Sequence, residues 1–229
     1  EGILSQIGAV TGLSSTAERH IAGQIIVSRL TTPEAYEMHA LLALMRERGV
    51  EAVAVEVSAQ ALSRRRVDGM MFDVAGFTNL SHDHLDDYAD MAEYFEAKLP
   101  LFRTDRSRRA VISLDSASGA GVVAACEVPC VTIGTPDIAD DRDAAADADW
   151  VVEIIDEQQI GTRFALAARD GRRLETTVPV IGRHMAANAG LAIVMILEAG
   201  YPWERLTAAL EGGRIEAYLP GRTELVSGD

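Results

Sequence analysis

The sequence predicts an α/β protein with a mostly parallel central sheet flanked by helices and a smaller antiparallel β subsheet in its C-terminal part. Strand-like and helix-like segments alternate between residues 30 and 133, which is typical of a parallel sheet. From Trp150 onward the pattern changes to consecutive strand-like segments separated by turns that contain Gly and charged residues, which is typical of antiparallel strands. The length of 229 residues corresponds to one large domain or two small ones, at about 100–200 residues each.

The N-terminal segment shows strand signals followed by a helix start. Apolar runs at 7–10 and 25–27, broken by Gly and Ser, indicate strands or a hairpin. Thr32-Pro33-Glu34 then has the features of a helix N-terminus, with Thr as N-cap, Pro at the first helical position and Glu in the first turn. Apolar residues at helical spacing between 38 and 45 predict the helix itself, and Gly49 ends it.

Four apolar runs indicate the parallel strands. The run at 52–57 is apolar on both faces until Glu56, as in a strand buried between two layers of helices. Similar runs occur at 72–77, 110–114 and 128–133. Helices are predicted between them, over 91–99 and in the Gly- and Ala-rich segment that reaches Cys126.

The C-terminal part predicts three antiparallel strands and two helices. The strands cover 151–155, 162–168 and 174–180. The helices cover 184–199 and 203–210, and Gly200 separates them. The acidic stretch 139–149, which precedes these strands, is expected to be a loop or a short helix.

Composition and charge exclude several classes of protein. Hydrophobic residues make up 48% of the chain, which supports a sizeable core and argues against disorder. The formal net charge of −14 argues against a nucleic-acid-binding surface, although a few local arginines can still bind an anionic ligand. Two cysteines exclude a disulfide scaffold and suit a reducing cytosol. No run approaches 18 apolar residues, so membrane insertion is not expected.

Polar residues that follow predicted strands form the candidate site, because ligands of open α/β sheets bind beyond the carboxyl ends of the strands. Glu56 is a lone carboxylate in an apolar run, so it is either solvated or bound to a cation. Residues 79–87 follow the next strand and hold two histidines and three aspartates. That cluster favours a divalent metal over the alternative of an acidic helix cap.

Basic residues nearby are candidates for contacts to the same ligand. Lys98 is the one lysine of the sequence, and it is either a surface residue with a buried stem or a buried amine with a lowered pKa. Residues 64–66 are three arginines, which either form a solvated face or donate to a phosphate or carboxylate. The sequence contains no P-loop, dinucleotide-binding glycine motif or nucleophile elbow. The residues alone therefore predict a Mg²⁺-assisted site for an anionic ligand.

Several short motifs follow one another in a fixed order along the chain. They read L-T-T-P at 30–33, V-E-V-S at 55–58, R-V-D-G at 66–69, T-N-L-S-H-D-H-L-D at 78–86, A-K at 97–98, I-G-R at 181–183, N-A at 188–189 and P-G-R at 220–222. In this order and spacing, from about residue 7 to residue 222, the chain resembles the central domain of the Mur ligases, and among them the UDP-N-acetylmuramyl-tripeptide synthetase type.

The resemblance implies a three-layer α/β sandwich over residues 1–222, with 223–229 as the start of a linker to a further domain. It implies a cytoplasmic ligase that joins an amino acid to a UDP-muramyl-dipeptide in peptidoglycan synthesis, through an acyl phosphate, with ATP and Mg²⁺. The family's phosphate-binding loop would lie upstream of Glu1, so the fragment alone is expected to be inactive.

The resemblance also assigns roles by position. Glu56 and His84 match metal ligands of the family. Lys98 matches the lysine that the family carbamylates to hold a second Mg²⁺, so Lys98 and His84 are the catalytic candidates. The positions that match substrate contacts are Thr31, Thr32, Ser58, Arg64 and Arg66. Asn188 and Arg222 match contacts to the nucleotide.

Some positions depart from the family pattern. Ala59 and Gln60 stand where the family has Ser and His, and Met185 stands where Asn is common. Two alternatives therefore remain: a non-catalytic paralogue that binds a nucleotide-sugar or a partner, and another ligase of the superfamily, of the folylpolyglutamate or cyanophycin synthetase type.

Overall fold

The computed structural model describes residues 1–28, 30–80, 87–158 and 161–216, and it contains two β-sheets. The strands are β1 Thr11–Ser14, β2 Glu18–Ile21, β3 Gln24–Val27, β4 Ala52–Val55, β5 Phe72–Phe77, β6 Ser107–Ser113, β7 Cys130–Gly134, β8 Trp150–Gln158, β9 Gly161–Ala168 and β10 Arg173–Val178. The helices are α1 Gly2–Gln6, α2 Ala35–Glu47, α3 Ala59–Ser63, α4 Met91–Lys98, α5 Ser118–Ala125, α6 Arg142–Ala146, α7 Arg183–Glu198 and α8 Trp203–Leu210, with a 3₁₀ turn at Leu99–Phe102.

The larger sheet has six strands in the order β10-β9-β8-β7-β6-β5. Strands β5 to β8 are parallel, and β9 pairs antiparallel with β8 on one side and with β10 on the other. The α/β class with a parallel-rich sheet is thus confirmed. The expected antiparallel C-terminal part is confirmed as well, because β8 pairs with parallel β7 on one side and antiparallel β9 on the other, so that β8, β9 and β10 form the antiparallel end of the same sheet.

The smaller sheet is N-terminal and has the order β3-β2-β1-β4. Strands β2 and β3 form a hairpin whose two turn residues, Ala22 and Gly23, both have positive φ, as a tight hairpin turn requires. Strand β4 pairs in parallel with β1, so the first of the expected parallel strands does not join the larger sheet.

Two expectations about the N-terminal segment are corrected. The run at 7–10 is not a strand, because it follows α1 and its residues Ile7 and Ala9 are buried in the core. Helix α2 begins at Ala35, with Glu34 rather than Thr32 as its N-cap. The Thr32 hydroxyl instead donates to the carbonyl of Glu56, which ties the segment before α2 to the end of β4.

The core lies on both faces of the larger sheet. Along β6, Val111 packs with α7 and α8 on one face, whereas Ala110 and Ile112 pack with Phe102 and Val122 on the other. This alternation follows from the period of two along a strand, and it explains why the run reads as apolar on both faces. The expected layering of helix, sheet and helix is therefore observed.

Strands β4 and β5 face each other across a gap between the two sheets. In the described part of the chain, β4 pairs only with β1 and β5 only with β6. Their facing edges, together with Met195 and other residues of α7, line a largely apolar cavity of about 480 Å³. None of the helices in the described ranges combines the length and apolar character needed to cross a membrane.

Candidate functional site

The carboxyl ends of β4 and β5 open into one cavity of about 270 Å³. Glu56 and Val57 line it from the end of β4, and Thr78 and Asn79 from the end of β5. Lys98, the last residue of α4, also lines it. The structure thus brings together Glu56 and Lys98, which are 42 positions apart in sequence, whereas His84 lies outside the described residues.

Lys98 is half-buried in this cavity. Its Nζ lies 5.0 Å from the ring centroid of Tyr94, one turn earlier in α4, in a cation–π arrangement. Burial lowers the pKa of the Lys98 amine from its ordinary value of 10.5. Among the described residues, no carboxylate forms an ion pair with it. The amine therefore loses its proton more readily than a surface lysine does.

Glu56 is held by the turn between β1 and β2. Its Oε2 accepts hydrogen bonds from the backbone N–H of Thr16, at 2.8 Å, and from the Thr16 hydroxyl, at 3.0 Å. Its Oε1 has no hydrogen-bond partner among the described residues. Of the two readings of Glu56, solvated or cation-bound, the geometry shows an exposed carboxylate with one oxygen fixed and one oxygen available.

Thr32 and Ser58 form the wall beside Glu56. Thr32 is fully buried, and its Oγ1 donates to the Glu56 carbonyl at 2.9 Å while it accepts from the Ser58 N–H at 3.1 Å. The Ser58 hydroxyl caps α3 by accepting from the N–H of Ala61. The hydroxyls of Thr32 and Ser58 are therefore both engaged in hydrogen bonds within the protein. The bonds of Thr32 keep the neighbouring Thr31 next to the end of β4.

The arginines at 64–66 have different surroundings. Arg66 is 7% exposed, and its guanidinium donates to the carbonyl of Thr32 at 3.3 Å and pairs with Glu34 at 2.7 Å. Arg64 is exposed and pairs with Asp87 at 3.3 Å. The alternative of a uniform solvated face therefore fails for Arg66, which supports the loop that carries Thr31 and Thr32, whereas Arg64 and Arg65 are both exposed.

A second cavity of about 270 Å³ adjoins the first, because Thr78, Asn79 and Leu191 line both. Asn188 reaches it from the second turn of α7, and residues after β6 and β7 complete it. The N-terminus of α7 is held there by Thr162, whose hydroxyl accepts from the Gly182 N–H at 3.0 Å. Arg222, the other expected nucleotide contact, lies outside the described residues.

Sequence reasoning missed three titratable residues of the second cavity, Asp115, Asp140 and His184. The Asp115 carboxylate accepts from the N–H of Thr135, which joins the ends of β6 and β7, and burial raises its pKa above the ordinary value of 3.8. The signal was available, since Asp115 is the second residue after strand β6, the same kind of position that marks Glu56 after β4.

The fit of Mg²⁺ rests on the donors that these cavities offer. Among the described residues, no three His, Cys, Asp or Glu side chains form a metal-binding group. Mg²⁺ needs only one or two protein carboxylates beside phosphate and water oxygens, so Glu56 with its available Oε1 fits. Lys98 as an ammonium does not fit, but a carbamate on its Nζ would supply oxygen ligands.

Comparison with known proteins gives one family and one fold. The family model described as Mur ligase middle domain matches residues 1–196. The UDP-N-acetylmuramyl-tripeptide synthetase of Leifsonia xyli subsp. xyli is 56% identical over 228 residues, 99% of this chain and 43% of that protein. The UDP-N-acetylmuramoyl-L-alanyl-D-glutamate–2,6-diaminopimelate ligase of Streptomyces avermitilis is 38% identical over 216 residues, 94% of this chain and 41% of that protein.

Solved structures agree on the fold. A UDP-N-acetylmuramoyl-L-alanyl-D-glutamate–2,6-diaminopimelate ligase superposes with a TM-score of 0.78 at 22% identity, over 100% of this chain and 45% of that one. The FPGS–AMPPCP complex superposes with a TM-score of 0.65 at 18% identity, over 99% of this chain and 61% of that one. The chain spans less than half the length of the curated relatives described above.

Proposed function

The chain belongs to the Mur ligase middle-domain family, and we propose that it is the ATP-binding part of an amide ligase that adds an amino acid to UDP-N-acetylmuramoyl-L-alanyl-D-glutamate. The observation that carries this proposal is the meeting of Glu56 and Lys98 in one cavity at the carboxyl ends of β4 and β5, directly beside the cavity of Asn188. We further propose that the protein acts in the cytoplasm, where ATP is available for this step.

The proposed reaction has two steps. An oxygen of the substrate carboxylate attacks the γ-phosphorus of ATP, and ADP leaves with the electrons of the broken P–O bond. The amine of the incoming amino acid then attacks the carbonyl carbon of the acyl phosphate, so that phosphate leaves and the amine loses a proton. Bound Mg²⁺ would supply positive charge where the phosphate oxygens become more negative.

Lys98 has the chemistry that a carbamate requires. The ammonium first loses a proton. The neutral amine then attacks the carbon of CO₂, an N–C bond forms as one C–O π bond opens, and a second proton leaves the nitrogen, so that a cation becomes an oxygen-bearing anion. Because burial lowers the pKa of Lys98, more of the amine is neutral near pH 7 than at a surface lysine. In that form Lys98 and Glu56 both offer anionic oxygens to Mg²⁺, with His84 as a further proposed ligand.

The remaining positions divide between substrate and nucleotide. We assign contacts to the UDP-muramyl substrate to Thr31 and Arg64. Thr32, Ser58 and Arg66 support the same surface through hydrogen bonds inside the protein. Asn188 and Arg222 are assigned to the nucleotide.

The experiment uses the full-length protein with ATP, Mg²⁺ and UDP-N-acetylmuramoyl-L-alanyl-D-glutamate, and measures ADP release with each candidate amino acid. The names of relatives make 2,6-diaminopimelate the first to test. We expect ADP release only when both substrates are present. Lys98→Ala should lower turnover at least about 100-fold, since loss of a metal ligand costs no less than loss of the groups that orient one, and acetate or formate should restore part of it.

The control is Arg108→Ala, because Arg108 is exposed and its ion pair in the described part of the chain is with Asp73, a residue that lines neither cavity. It should keep wild-type turnover. Full activity of Lys98→Ala without added carboxylate would contradict the carbamate.

A non-catalytic binder remains the second candidate. The observation that favours it is Gln60, which stands where the family has His and is hydrogen-bonded to Asp87. Binding of the UDP-muramyl peptide without any ADP release would establish that function in place of the ligase.

A further inference from the structure

The turn between β1 and β2 carries a hydroxyl that the proposed function does not use. Thr16 lies at the exposed tip of this turn, and it touches both the end of β4 and the loop before α2. Its Oγ1 lies 3.0 Å from Oε2 of Glu56 and 3.0 Å from Oγ1 of Thr31. Three segments that are distant in sequence therefore meet at one side chain.

The donor order in this contact follows from the chemistry of the groups. A carboxylate only accepts, so the Thr16 hydroxyl gives its single proton to Glu56. Thr31 must then donate its own proton to the Thr16 oxygen. The result is a directed chain from Thr31 through Thr16 to Glu56, in which the backbone N–H of Thr16 is a second donor to the same carboxylate oxygen.

The turn itself does not need this hydroxyl. It is closed by Ser15, whose N–H and hydroxyl both donate to the Glu18 carbonyl, at 3.0 and 2.9 Å. It is also tied to the end of β3, where the N–H of Ser28 donates to the carbonyl of Ala17. Removing the Thr16 hydroxyl therefore leaves the fold of the turn intact, and what it changes is the orientation of Glu56 and Thr31.

We propose that Thr16 is a positioning residue that fixes the Glu56 carboxylate for the metal and aligns the Thr31 hydroxyl for the substrate. By holding Oε2, it leaves Oε1 as the oxygen free to bind a cation. Thr16 also couples the substrate side of the site to the metal side. A ligand that engages the Thr31 hydroxyl alters its hydrogen bond to Thr16, and the Thr16 hydroxyl is the group that donates to Glu56. This inference rests on the proposed roles of Glu56 and Thr31.

The test compares Thr16→Val with Thr16→Ser in the full-length protein. Valine keeps the branched shape and the backbone N–H but lacks the hydroxyl, whereas serine keeps the hydroxyl. The main readout is Mn²⁺ binding measured by electron paramagnetic resonance, with the KM for the UDP-muramyl peptide, kcat and Tm measured alongside. Thr16→Val should weaken Mn²⁺ binding about tenfold, as loss of a group that orients a metal ligand does. Thr16→Ser should stay within about twofold, since the orienting hydroxyl remains.

Glu56→Gln separates this inference from the function on which it rests. If Glu56→Gln weakens Mn²⁺ binding and Thr16→Val does not, the role of Thr16 is overturned and the metal role of Glu56 stands. If Glu56→Gln leaves Mn²⁺ binding unchanged, both are overturned. Equal losses in Thr16→Val and Thr16→Ser would also overturn the proposal, because the hydroxyl would not be the group that matters. In the double variant, Thr16→Val should add nothing to Glu56→Gln.

Discussion

Arg66 shows how one side chain can be mistaken for a ligand contact when only its sequence position is known. Its place in an arginine run indicates either a solvated face or a phosphate contact. In the structure it is nearly inaccessible, and its guanidinium hydrogen-bonds the carbonyl of Thr32 and pairs with Glu34. The run of three arginines does not reveal that Arg65 has a left-handed φ, which turns the chain between Arg64 and Arg66.

This difference between neighbouring arginines can be measured. Arg66→Ala should lower the free energy of unfolding by about 2–3 kcal/mol, because it removes charge-assisted hydrogen bonds from a buried position. Arg64→Ala is the matched control, and it should change stability by less than about 1 kcal/mol, because its ion pair with Asp87 is exposed. Chemical denaturation of both variants checks the prediction, and equal effects would contradict the buried role of Arg66.

Glu56 and Lys98 are the residues for which the sequence was most informative. A carboxylate at the end of an apolar run and a lone lysine in an apolar segment both stand out in the sequence, and in the structure both line the same cavity. Asp115 and His184 were not predicted, because each is a common residue in an ordinary context until β6, β7 and α7 bring their cavity together.

At the scale of elements, the tight contact between β7 and α6 depends on one glycine. A Cβ at Gly134 would lie 2.2 Å from the carbonyl oxygen of Ala145 and 2.5 Å from its Cα, both of which are backbone atoms that cannot rotate away. The end of β7 and helix α6 therefore pack against each other without a side chain between them. That contact keeps the loop after β7, including Thr135, in place beside Asp115.

Gly134→Ala should destabilise the protein by about 1–3 kcal/mol, the usual cost of adding atoms to a tightly packed site. Gly213→Ala is the control, because the nearest atom to a Cβ there is 3.5 Å away, an ordinary contact distance. Thermal unfolding of the two variants side by side measures the difference. A Gly134→Ala variant as stable as Gly213→Ala would show that α6 does not pack where the structure has it.

Elements with a strong local pattern were predicted well. Strand β5 and helix α8 have the expected bounds, and α7 differs by one residue at each end. The N-terminal segment was harder, because short apolar runs of four residues fit a strand, a helix end or a buried loop equally well. Thr32 was misread as an N-cap for a related reason: its hydroxyl bonds to the distant Glu56 carbonyl, which no local pattern reveals.

At the scale of the whole molecule, the class of fold follows from the sequence, but the partner of each strand does not. An apolar run on both faces indicates that a strand is buried, and it contains no information about which strand lies beside it. Strand β4 therefore reads as a member of the parallel sheet, while in the structure it pairs with β1 and faces β5 across the cavity of about 480 Å³.

The distribution of charge is also a property of the whole chain. The net charge of −14 argues against a nucleic-acid surface, yet the candidate site combines one carboxylate with an amine of lowered pKa and an exposed arginine. A local site of this kind can bind an anionic substrate on an acidic protein, because the interactions that matter act over a few ångströms and distant surface charges are screened.

The proposed function requires that the full-length protein transfers the γ-phosphate of ATP to a substrate carboxylate before the amide forms. The most direct measurement supplies the full-length protein with substrate whose reacting carboxylate carries ¹⁸O at both oxygens, together with ATP, Mg²⁺ and the amino acid. The account predicts that each phosphate released carries one ¹⁸O atom, because the carboxylate oxygen that attacks phosphorus leaves with it when the amine displaces phosphate. Amide formation with unlabelled phosphate, or substrate binding with no phosphate released, would contradict it.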